Sequence, residues 1–594
     1  MRKFFRLFFW AFALIGFSVV ALMVVGGYFA FNYKQHSGFA ELPDEIVLGI
    51  DLNQPILEKP DNSLFGDSEG ILVRDIVMAL DRARIDPRVK GVIARMGAYP
   101  LGFGQAQEIA EAVRAVRQSG KFTLVHSDDL GSSWNGTVDY IAAAAFENIW
   151  LQRTGGLGLT GLALEMPYAR KAMEEISVTA EFEQRHEFKG GADPFTRSSM
   201  PLPVRRNMTQ LLTSWATLLE EELVKSGRIE AGELYSVFDN GPYLAEDARS
   251  LGLVDGEGYW DEAKAYVSVM TSETAELVEP VDYLAAELND VPGDAPGIAL
   301  IYGVGPIVWD DGDGSLFGSE TFNPVAVSEA LADAREDDSI DAVVLRIVSP
   351  GGGYAPSDEV WRQVRMLKQA NKPVIVSMGD IAASGGYFIA MDGNRVFAPG
   401  GSITGSIGVY SGKFATEALW NRLGVNWEGV SIGRNAMMWS EIEPLTETGR
   451  QKFSEGVDFV YEDFTSKVRN ARGMTENQID SVARGRIWTG RDALGAGLVD
   501  EEGGLLDAIA FARTSAGIAP DQQVRFVDMP KPKDSWEQVM ELIEGGDPFG
   551  VLSARLVQRW LTSGRGRPAL SLAERLTLLQ PAGQLHTPPF RLAR

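Results

Sequence analysis

Three short loops in the second half of the chain contain the residue types that acyl-transfer chemistry uses. They are Ser349-Pro350-Gly351-Gly352-Gly353, Asp380-Ile381-Ala382-Ala383-Ser384-Gly385-Gly386-Tyr387 and Thr404-Gly405-Ser406-Ile407-Gly408. Consecutive glycines let backbone N–H groups point into one hollow, where an oxyanion developing on a carbonyl could be held. Each loop taken singly is also typical of an ordinary turn. The hypothesis that they form one acyl-transfer site therefore requires the three loops to lie close together in the fold.

Ser384 is the candidate nucleophile of the second loop. We expect it at the start of the apolar helix Tyr387–Met391, where unpaired N–H groups and the helix dipole stabilise negative charge. Gly385 and Gly386 leave room beside the hydroxyl for a substrate backbone. A plain helix N-cap is the alternative role for this serine. Ser406 of the third loop would supply a second hydroxyl.

A serine nucleophile needs a base, and histidine is scarce in this sequence. The four histidines are at 36, 126, 186 and 586. His126 is interpreted as a packed or edge residue of the strand Phe122–His126, and His186 as part of the solvated, charged segment Glu181–His186. A lysine can serve instead if burial keeps it neutral. Lys189 lies between Phe188 and the pair Gly190-Gly191, although an ordinary surface lysine stays open at this point.

The elements around these loops alternate between strand and helix. Strands are predicted at Ile298–Gly303, Ala342–Val348 and Pro373–Met378, and helices at Val325–Arg335 and Asp358–Gln369. This alternation indicates an α/β fold with a parallel sheet covered by helices. Sites in such sheets form at the carboxyl ends of the strands, and the first two of the three loops follow predicted strands.

The body of the chain contains two similar copies of one sequence pattern. Val92-Ile93-Ala94-Arg95 matches Val343-Val344-Leu345-Arg346 at an offset of 251, and Gly252-Leu253-Val254-Asp255 matches Gly497-Leu498-Val499-Asp500 at an offset of 245. The predicted units are residues 1–45, 46–290, 291–520 and 521–594.

Each copy keeps a different half of the candidate site. Thr137-Val138-Asp139-Tyr140 stands opposite Ser384–Tyr387, so the first copy lacks the serine. Arg434 stands opposite Lys189, and arginine cannot give up its proton usefully. One complete site must therefore form between the two copies, within one chain or between chains.

Composition excludes several classes of functional site and disfavours others. The chain has 594 residues, a net charge of −26 and no cysteine. Absence of cysteine excludes disulfides, thiolate catalysis and zinc–thiolate or iron–sulfur sites. The acidic balance argues against nucleic-acid binding, and so few histidines make a metal site an unattractive explanation.

The two ends of the chain differ from its body. Leu7–Phe31 is a 25-residue apolar stretch preceded by Arg2, Lys3 and Arg6, which predicts a transmembrane anchor with a cytoplasmic N-terminus. A cleaved signal peptide is the alternative. Residues 551–594 hold seven Arg and one acid. Helical spacing at Trp536–Ile543 and Val551–Leu561 predicts that 521–594 is partly helical, with a disordered basic end as the alternative.

Taken together, these motifs resemble the long, duplicated form of the signal peptide peptidase SppA family, which are Ser-Lys proteases of ClpP/crotonase-like fold. The resemblance covers residues 1–520 and is carried by Val374–Asp380, Ala382–Tyr387 and Thr404–Gly408. It implies that Ser384 is the nucleophile and that the glycines of the first loop hold the oxyanion.

The base is implied by a further motif, Tyr-Lys-Ser-Ala-x-x-Pro-Phe, which here reads Phe188-Lys189-Gly190-Gly191-Ala192-Asp193-Pro194-Phe195. Lys189 matches the family's general base, although its flank departs from the motif. Ser406 matches the serine that positions the lysine. The expected oxyanion donors are the N–H groups of Gly351 or Gly352, together with Gly385.

The resemblance also implies a domain organisation, a cellular location, an oligomeric state and a class of substrate. We expect two tandem ClpP/crotonase-like domains after the anchor, no cofactor, a body in the periplasm, and a homo-oligomer, a tetramer, at the cytoplasmic membrane. The expected substrates are cleaved signal peptides and other extended apolar peptides. Two alternatives stay open: a non-catalytic membrane scaffold and an acyl-CoA thioester enzyme of the same fold class.

Overall fold

The computed structural model of the chain describes residues 42–60, 70–288, 291–309, 321–519 and 522–531, and the backbone of 584–586 and 591–592. The predicted anchor Leu7–Phe31 and the predicted helices Trp536–Ile543 and Val551–Leu561 lie outside these residues. No helix within the described ranges has the length and apolarity to cross a membrane.

The first repeat is built on a parallel sheet of six strands in the order β12-β1-β4-β5-β6-β11. Apolar side chains cover both faces, so its central strands are almost wholly buried. The elements of this repeat are β1 (Ile46–Asp51), β2 (Ile56–Leu57), β3 (Ile71–Leu72), α1 (Val73–Ile85), β4 (Val89–Met96), α2 (Phe103–Gln118), β5 (Phe122–Ser127), α3 (Asp139–Ala145), β6 (Asn148–Leu151), β7 (Gly156–Leu157), β8 (Leu164–Glu165), α4 (Arg170–Glu175), β9 (Thr179–Gln184), α5 (Asp193–Thr196), α6 (Leu202–Lys225), α7 (Leu234–Asn240), β10 (Tyr243–Leu244), α8 (Ala245–Ser250), β11 (Gly256–Glu257), α9 (Trp260–Met270), β12 (Glu276–Val278) and α10 (Pro280–Leu288).

The second repeat has the same strand order, β22-β13-β14-β16-β17-β21, and two further strands, β18 and β20, extend from β16. All pairings in this sheet are parallel except β18 with β20. Its elements are β13 (Gly297–Val304), α11 (Pro324–Glu336), β14 (Ile340–Ser349), β15 (Gly351–Gly353), α12 (Tyr354–Gln369), β16 (Val374–Ala383), α13 (Gly385–Ala390), β17 (Arg395–Ala398), β18 (Ile403–Gly405), β19 (Tyr410–Ala415), α14 (Glu417–Arg422), α15 (Glu447–Arg472), α16 (Glu476–Val482), β20 (Ile487–Thr489), α17 (Gly490–Gly495), β21 (Glu501–Glu502), α18 (Leu505–Ser515) and β22 (Arg525–Met529), followed by β23 (Gln584–His586) and β24 (Arg591–Leu592).

The two sheets share one strand order, which agrees with the duplication inferred from the sequence. The second repeat also includes β22, which lies beyond its predicted boundary. The predicted boundary at residue 520 separates β22 from its sheet, although β22 pairs with β13 just as β12 pairs with β1. Arg525–Met529 is a strand, so this part of 521–594 is neither helical nor disordered. Its short mixed sequence, Arg-Phe-Val-Asp-Met, is typical of an edge strand whose conformation depends on its neighbour.

The two repeats are joined by a shared core and by buried polar contacts. The side chain of Asn207 on α6 bonds both the N–H and the C=O of Ile487, each at 2.9 Å. Trp215 Nε1 donates to the carbonyl of Gly401 at 2.8 Å. Ile403 and Ile487 pack into the core of the first repeat. These contacts hold β18 and β20 of the second repeat against the first.

Buried charges also cross this junction. Arg346 on β14 is 1% exposed and bonds Glu108 Oε1 at 2.8 Å and Glu58 Oε2 at 3.0 Å. Asp380 on β16 accepts from the N–H of Gln105, at the start of α2, at 3.0 Å. Burial, with the charge of Glu58, raises the pKa of Asp380 to about 7. One buried arginine therefore compensates two carboxylates of the other repeat.

Arg346→Met is expected to lower the free energy of unfolding by about 3–5 kcal/mol, because it leaves two buried carboxylates without their cation. Arg395→Met is the matched control: Arg395 pairs with Glu501 at a partly exposed site, where ion pairs contribute below about 1 kcal/mol. Urea unfolding of both variants measures the difference. Equal losses would contradict the role given to the Arg346 cluster.

Candidate active site

Ser384 lies at the turn between β16 and α13. Its backbone has φ 55° and ψ −114°, a conformation that side chains rarely adopt and that costs about 1–3 kcal/mol. Two hydrogen bonds hold it: its N–H donates to the carbonyl of Gly405 at 2.8 Å, and its carbonyl accepts from Phe388 N–H at 2.8 Å. The side chain is fully buried. It caps no backbone N–H of α13, so its hydroxyl is not used as a helix cap.

Lys189 reaches Ser384 from the first repeat. It lies between β9 and α5 and is 0% exposed. Its Nζ is 2.8 Å from Ser384 Oγ, 2.8 Å from the carbonyl oxygen of Ser406 and 3.0 Å from Ser406 Oγ. The structure thus brings together Ser384, Lys189 and Ser406, which lie 217 positions apart at most, and it does so within one chain.

Burial sets the charge of this lysine. Desolvation lowers the pKa of Lys189 well below its usual range, since a buried ammonium loses its hydration. Among the residues that the structure describes, no carboxylate contributes to the pKa of Lys189. A neutral amine has two N–H donors and one lone pair. The two oxygens of Ser406 take the donors, which leaves the lone pair for Ser384 Oγ–H.

Ser406, like Ser384, is held by backbone hydrogen bonds. It follows β18 with a φ of 51°, and its N–H donates to the carbonyl of Arg486 at 2.7 Å. Thr404, two residues earlier, donates its hydroxyl to the carbonyl of Ala382 at 2.7 Å. Strand β18 therefore holds Ser406, which contacts Lys189, and also the end of β16, the strand that precedes Ser384.

The glycine loop lies beside Gly385, the residue that follows Ser384. A Cβ placed on Gly385 would lie 3.0 Å from the N atom of Gly352. The N–H of Gly351, in contrast, donates to Ser349 Oγ at 3.1 Å. Of the two alternatives for the oxyanion donor in this loop, the geometry favours Gly352.

Sequence reasoning missed the loop Arg484-Gly485-Arg486, which packs against Lys189 and the two residues before it. Phe188 N–H donates to the carbonyl of Arg484 at 3.3 Å, and Arg484 forms an ion pair with Glu187 at 3.0 Å. The guanidinium of Arg486 lies 4.0 Å from the centroid of the Phe188 ring. The available signal was the isolated glycine at 485, which on its own predicts no more than a turn.

Gly485→Ala is expected to lower kcat by about 10²-fold, the cost of misplacing a catalytic group by about 1 Å. Its φ is +82°, and a Cβ there would lie 2.4 Å from the Cβ and N of Lys189. Gly473→Ala is the matched control, since Gly473 has a φ of +64° and an added Cβ would meet nothing within 4 Å. Both variants bear the same kind of backbone cost, so only the contact with Lys189 differs. Peptide turnover that falls equally in both would contradict this placement.

Two histidines, His126 and His186, have described side-chain contacts, and neither contact is with Ser384 or Lys189. His126 is buried in β5 with Nε2 3.0 Å from the carbonyl oxygen of Gly258, which confirms that it is packed in a strand. His186 is half-buried against the ring of Tyr461, with centroids 4.5 Å apart, so the prediction that it is solvated is wrong, because α15 covers that segment. Within the ranges that the structure describes, no group of His, Asp or Glu could hold a metal ion.

Comparison with known proteins identifies the family. The model for peptidase family S49 matches residues 125–272 and 366–519, one stretch in each repeat. The chloroplastic serine protease SPPA of Arabidopsis thaliana is 28% identical over 79% of this chain and 69% of its own length. Protease 4 of Haemophilus influenzae is 28% identical over 76% of this chain and 74% of its own.

Two further matches complete the comparison. Protease 4 of Salmonella typhi is 28% identical over 84% of this chain and 82% of its own length. Among solved structures, a ClpP1 mutant from Listeria monocytogenes matches 35% of this chain and 94% of its own at 14% identity, with a TM-score of 0.23, a score too low to identify a shared fold. With both repeats matched by the family model, the chain belongs to peptidase family S49 and is a serine peptidase of the SppA and Protease 4 type.

Proposed function

We propose that this serine peptidase works with a Ser-Lys dyad formed between its two repeats. The observation that carries the proposal is the 2.8 Å separation of Lys189 Nζ and Ser384 Oγ at a fully buried position. Ser384 is the nucleophile, Lys189 the general base, and Ser406 positions the lysine through the two contacts described above. Each repeat, of ClpP/crotonase-like fold, supplies one half of the dyad.

The reaction follows from this arrangement. Lys189 takes the proton of Ser384 as Oγ bonds to the peptide carbonyl carbon, and the N–H groups of Gly352 and Gly385 hold the oxyanion. The resulting ammonium gives its proton to the leaving amine as the C–N bond breaks. Water then attacks the acyl-enzyme, Lys189 accepts a proton from it, and the proton returns to Ser384 as the acid product leaves.

We further propose that the substrates are signal peptides and other extended apolar peptides close to a membrane. The apolar stretch Leu7–Phe31 would anchor the chain in the cytoplasmic membrane, with its body in the periplasm. The formal charge of residues 37–550 is −36, which disfavours acidic substrates. A homo-oligomer, a tetramer, would enclose the sites. Membership of a peptidase family weighs against both the non-catalytic scaffold and the thioester enzyme.

The test is a cleavage assay on the detergent-solubilised full chain. Two sets of fluorogenic peptides of equal length are compared near pH 8, one apolar and signal-peptide-like and one with interspersed Asp and Glu. We expect kcat/KM to be at least about tenfold higher for the apolar set, equivalent to 1.4 kcal/mol. Equal rates would overturn the substrate class, and hydrolysis of acyl thioesters without peptides would favour the thioester enzyme.

A further inference from the structure

The residues that precede Lys189 lie on the second repeat, although they belong to the first. Strand β9 pairs antiparallel along its whole length with β19 of the second repeat. The chain then continues through residues 185–188, which form the strap, and reaches Lys189. The first repeat therefore supplies its lysine through a segment that the other repeat holds.

The first two residues of the strap contact α15. Arg185 donates from Nη2 to the carbonyl and to the hydroxyl of Ser454, at 2.9 and 2.8 Å. The ring of His186 packs against that of Tyr461. This end of the strap is therefore attached to a long helix of the second repeat.

The last two residues of the strap contact the loop between α16 and β20. Arg484 Nε lies 3.2 Å from both carboxylate oxygens of Glu187, and its Nη2 lies 3.0 Å from Oε2. The carbonyl of Arg484 accepts the N–H of Phe188, whose ring lies beneath the guanidinium of Arg486. Arg484 thus binds the strap through both its side chain and its backbone.

The pair Glu187–Arg484 lies where the buried site meets solvent. Lys189 is fully buried, whereas the side chains of Arg484 and Glu187 are 31% and 38% exposed. Within the described part of the chain, every hydrogen-bond partner of Lys189 Nζ belongs to the second repeat. The position of the amine therefore depends on how the strap is held on that repeat.

We propose that Glu187 and Arg484 are positioning residues, an ion pair that holds the strap on the second repeat and so keeps Lys189 buried against Ser384. This inference rests on the proposed Ser-Lys dyad. An ion pair exposed to this degree contributes little to global stability. Its fork-shaped geometry nevertheless fixes orientation as well as distance, and small displacements of a catalytic group lower turnover strongly.

The first test breaks the pair and then restores it with the charges exchanged. Glu187→Gln and Arg484→Gln should each lower kcat for an apolar peptide at least about fivefold and change KM less than about twofold, because catalytic geometry and not substrate binding is altered. The exchanged pair, Glu187→Arg with Arg484→Glu, should recover most of the lost kcat. It is made in the Asp480→Asn background, since the carboxylate of Asp480 would repel the introduced acid.

Asp480→Asn alone is the matched control. Asp480 pairs with the same guanidinium at 3.0 Å but lies outside the strap, so kcat should stay within about twofold of wild type, or 0.4 kcal/mol. Circular dichroism checks the folding of every variant. An unchanged kcat in both single variants, or no recovery in the folded exchanged pair, would overturn the proposal.

The second test follows the lysine itself. A serine-reactive acylating probe is applied over a range of pH, and the midpoint of Ser384 labelling is compared between wild type, Glu187→Gln and Asp480→Asn. A loosened strap admits water to the amine, which raises the pKa of Lys189, so the midpoint in Glu187→Gln should rise by at least about 0.5 pH unit. Loss of the Glu187 charge alone would move it the other way. Asp480→Asn should leave it in place.

The outcomes separate this inference from the dyad on which it rests. Slower labelling of Glu187→Gln at an unchanged or lowered midpoint would show that the pair does not keep the lysine buried, and would overturn the proposal. Equal labelling of wild type and Lys189→Ala would refute the dyad itself.

Discussion

Ser384→Ala is expected to lower kcat by about 10⁴-fold or more, while KM for an apolar peptide changes little. Removing the nucleophile from an enzyme of this type leaves only the oxyanion donors and substrate binding to accelerate the reaction. The Ser384 hydroxyl makes its contact with Lys189 and caps no N–H of α13, so its loss does not remove a structural bond of the helix. Steady-state kinetics on the detergent-solubilised chain, with circular dichroism as a folding check, measure the effect.

Ser328→Ala is the control for this variant. Ser328 is buried on α11 and, within the described part of the chain, its Oγ has no hydrogen-bond partner. Removing it tests the effect of deleting a buried serine hydroxyl remote from the dyad, and turnover should stay within about twofold, or 0.4 kcal/mol. A Ser384→Ala variant as active as this control would show that another residue carries the nucleophilic step.

Lys189→Met is expected to lower activity and to raise stability. Turnover should fall by about 10²–10⁴-fold, the usual contribution of a general base. The free energy of unfolding at neutral pH should rise, since methionine fills the same space without an amine that must be neutralised on burial. Lys189→Arg should be equally inactive but less stable, because a guanidinium stays charged when buried. Urea unfolding and peptide cleavage on the same preparations test both parts.

The sign of the pH dependence follows from the direction of the pKa shift. Folding lowers the pKa of Lys189 well below its usual range, so between the folded and unfolded pKa values the unfolded chain holds one more proton. The contribution of Lys189 to stability therefore rises with pH in that window and is fully restored above the unfolded pKa. The stabilisation by Lys189→Met should accordingly be largest at neutral pH and shrink as the pH rises towards 10. A loss of stability in this variant at pH 7 would contradict the buried neutral lysine.

Much of the site could be predicted because its parts lie at strand ends with distinctive loops. Ser384 follows β16, Ser406 follows β18, and the glycine loop follows β14. The sequence predicted the end of β14 to within one residue, but it ended the strand before Ser384 at Met378 instead of Ala383 and predicted no strand before Ser406. The placement of Ser384 and Lys189 in different copies followed from comparing the two copies, since neither copy alone has both residues. Local patterns were sufficient here because the functional residues belong to short motifs.

Other features could not be predicted, because they depend on pairing between distant segments. Gly485 is needed only because Lys189 packs against it from the other repeat. Strand β22 is recognisable only beside β13, and the pairing of β23 with β15 joins residues more than 200 positions apart. In the sequence Arg346 has no feature that distinguishes it from other charged residues. Its buried ion pairs with Glu58 and Glu108 form only in the folded chain.

The central claim is that a neutral Lys189 activates Ser384, and the pH dependence of Ser384 acylation tests it most directly. A serine-reactive acylating probe is applied to wild type and to Lys189→Ala over a range of pH, and the rate of Ser384 labelling is followed by mass spectrometry. We predict that the wild-type rate rises with pH through a midpoint well below 10.5, the ordinary lysine value, and that the variant reacts slowly with no such midpoint. The same midpoint and rate in both proteins would contradict the account.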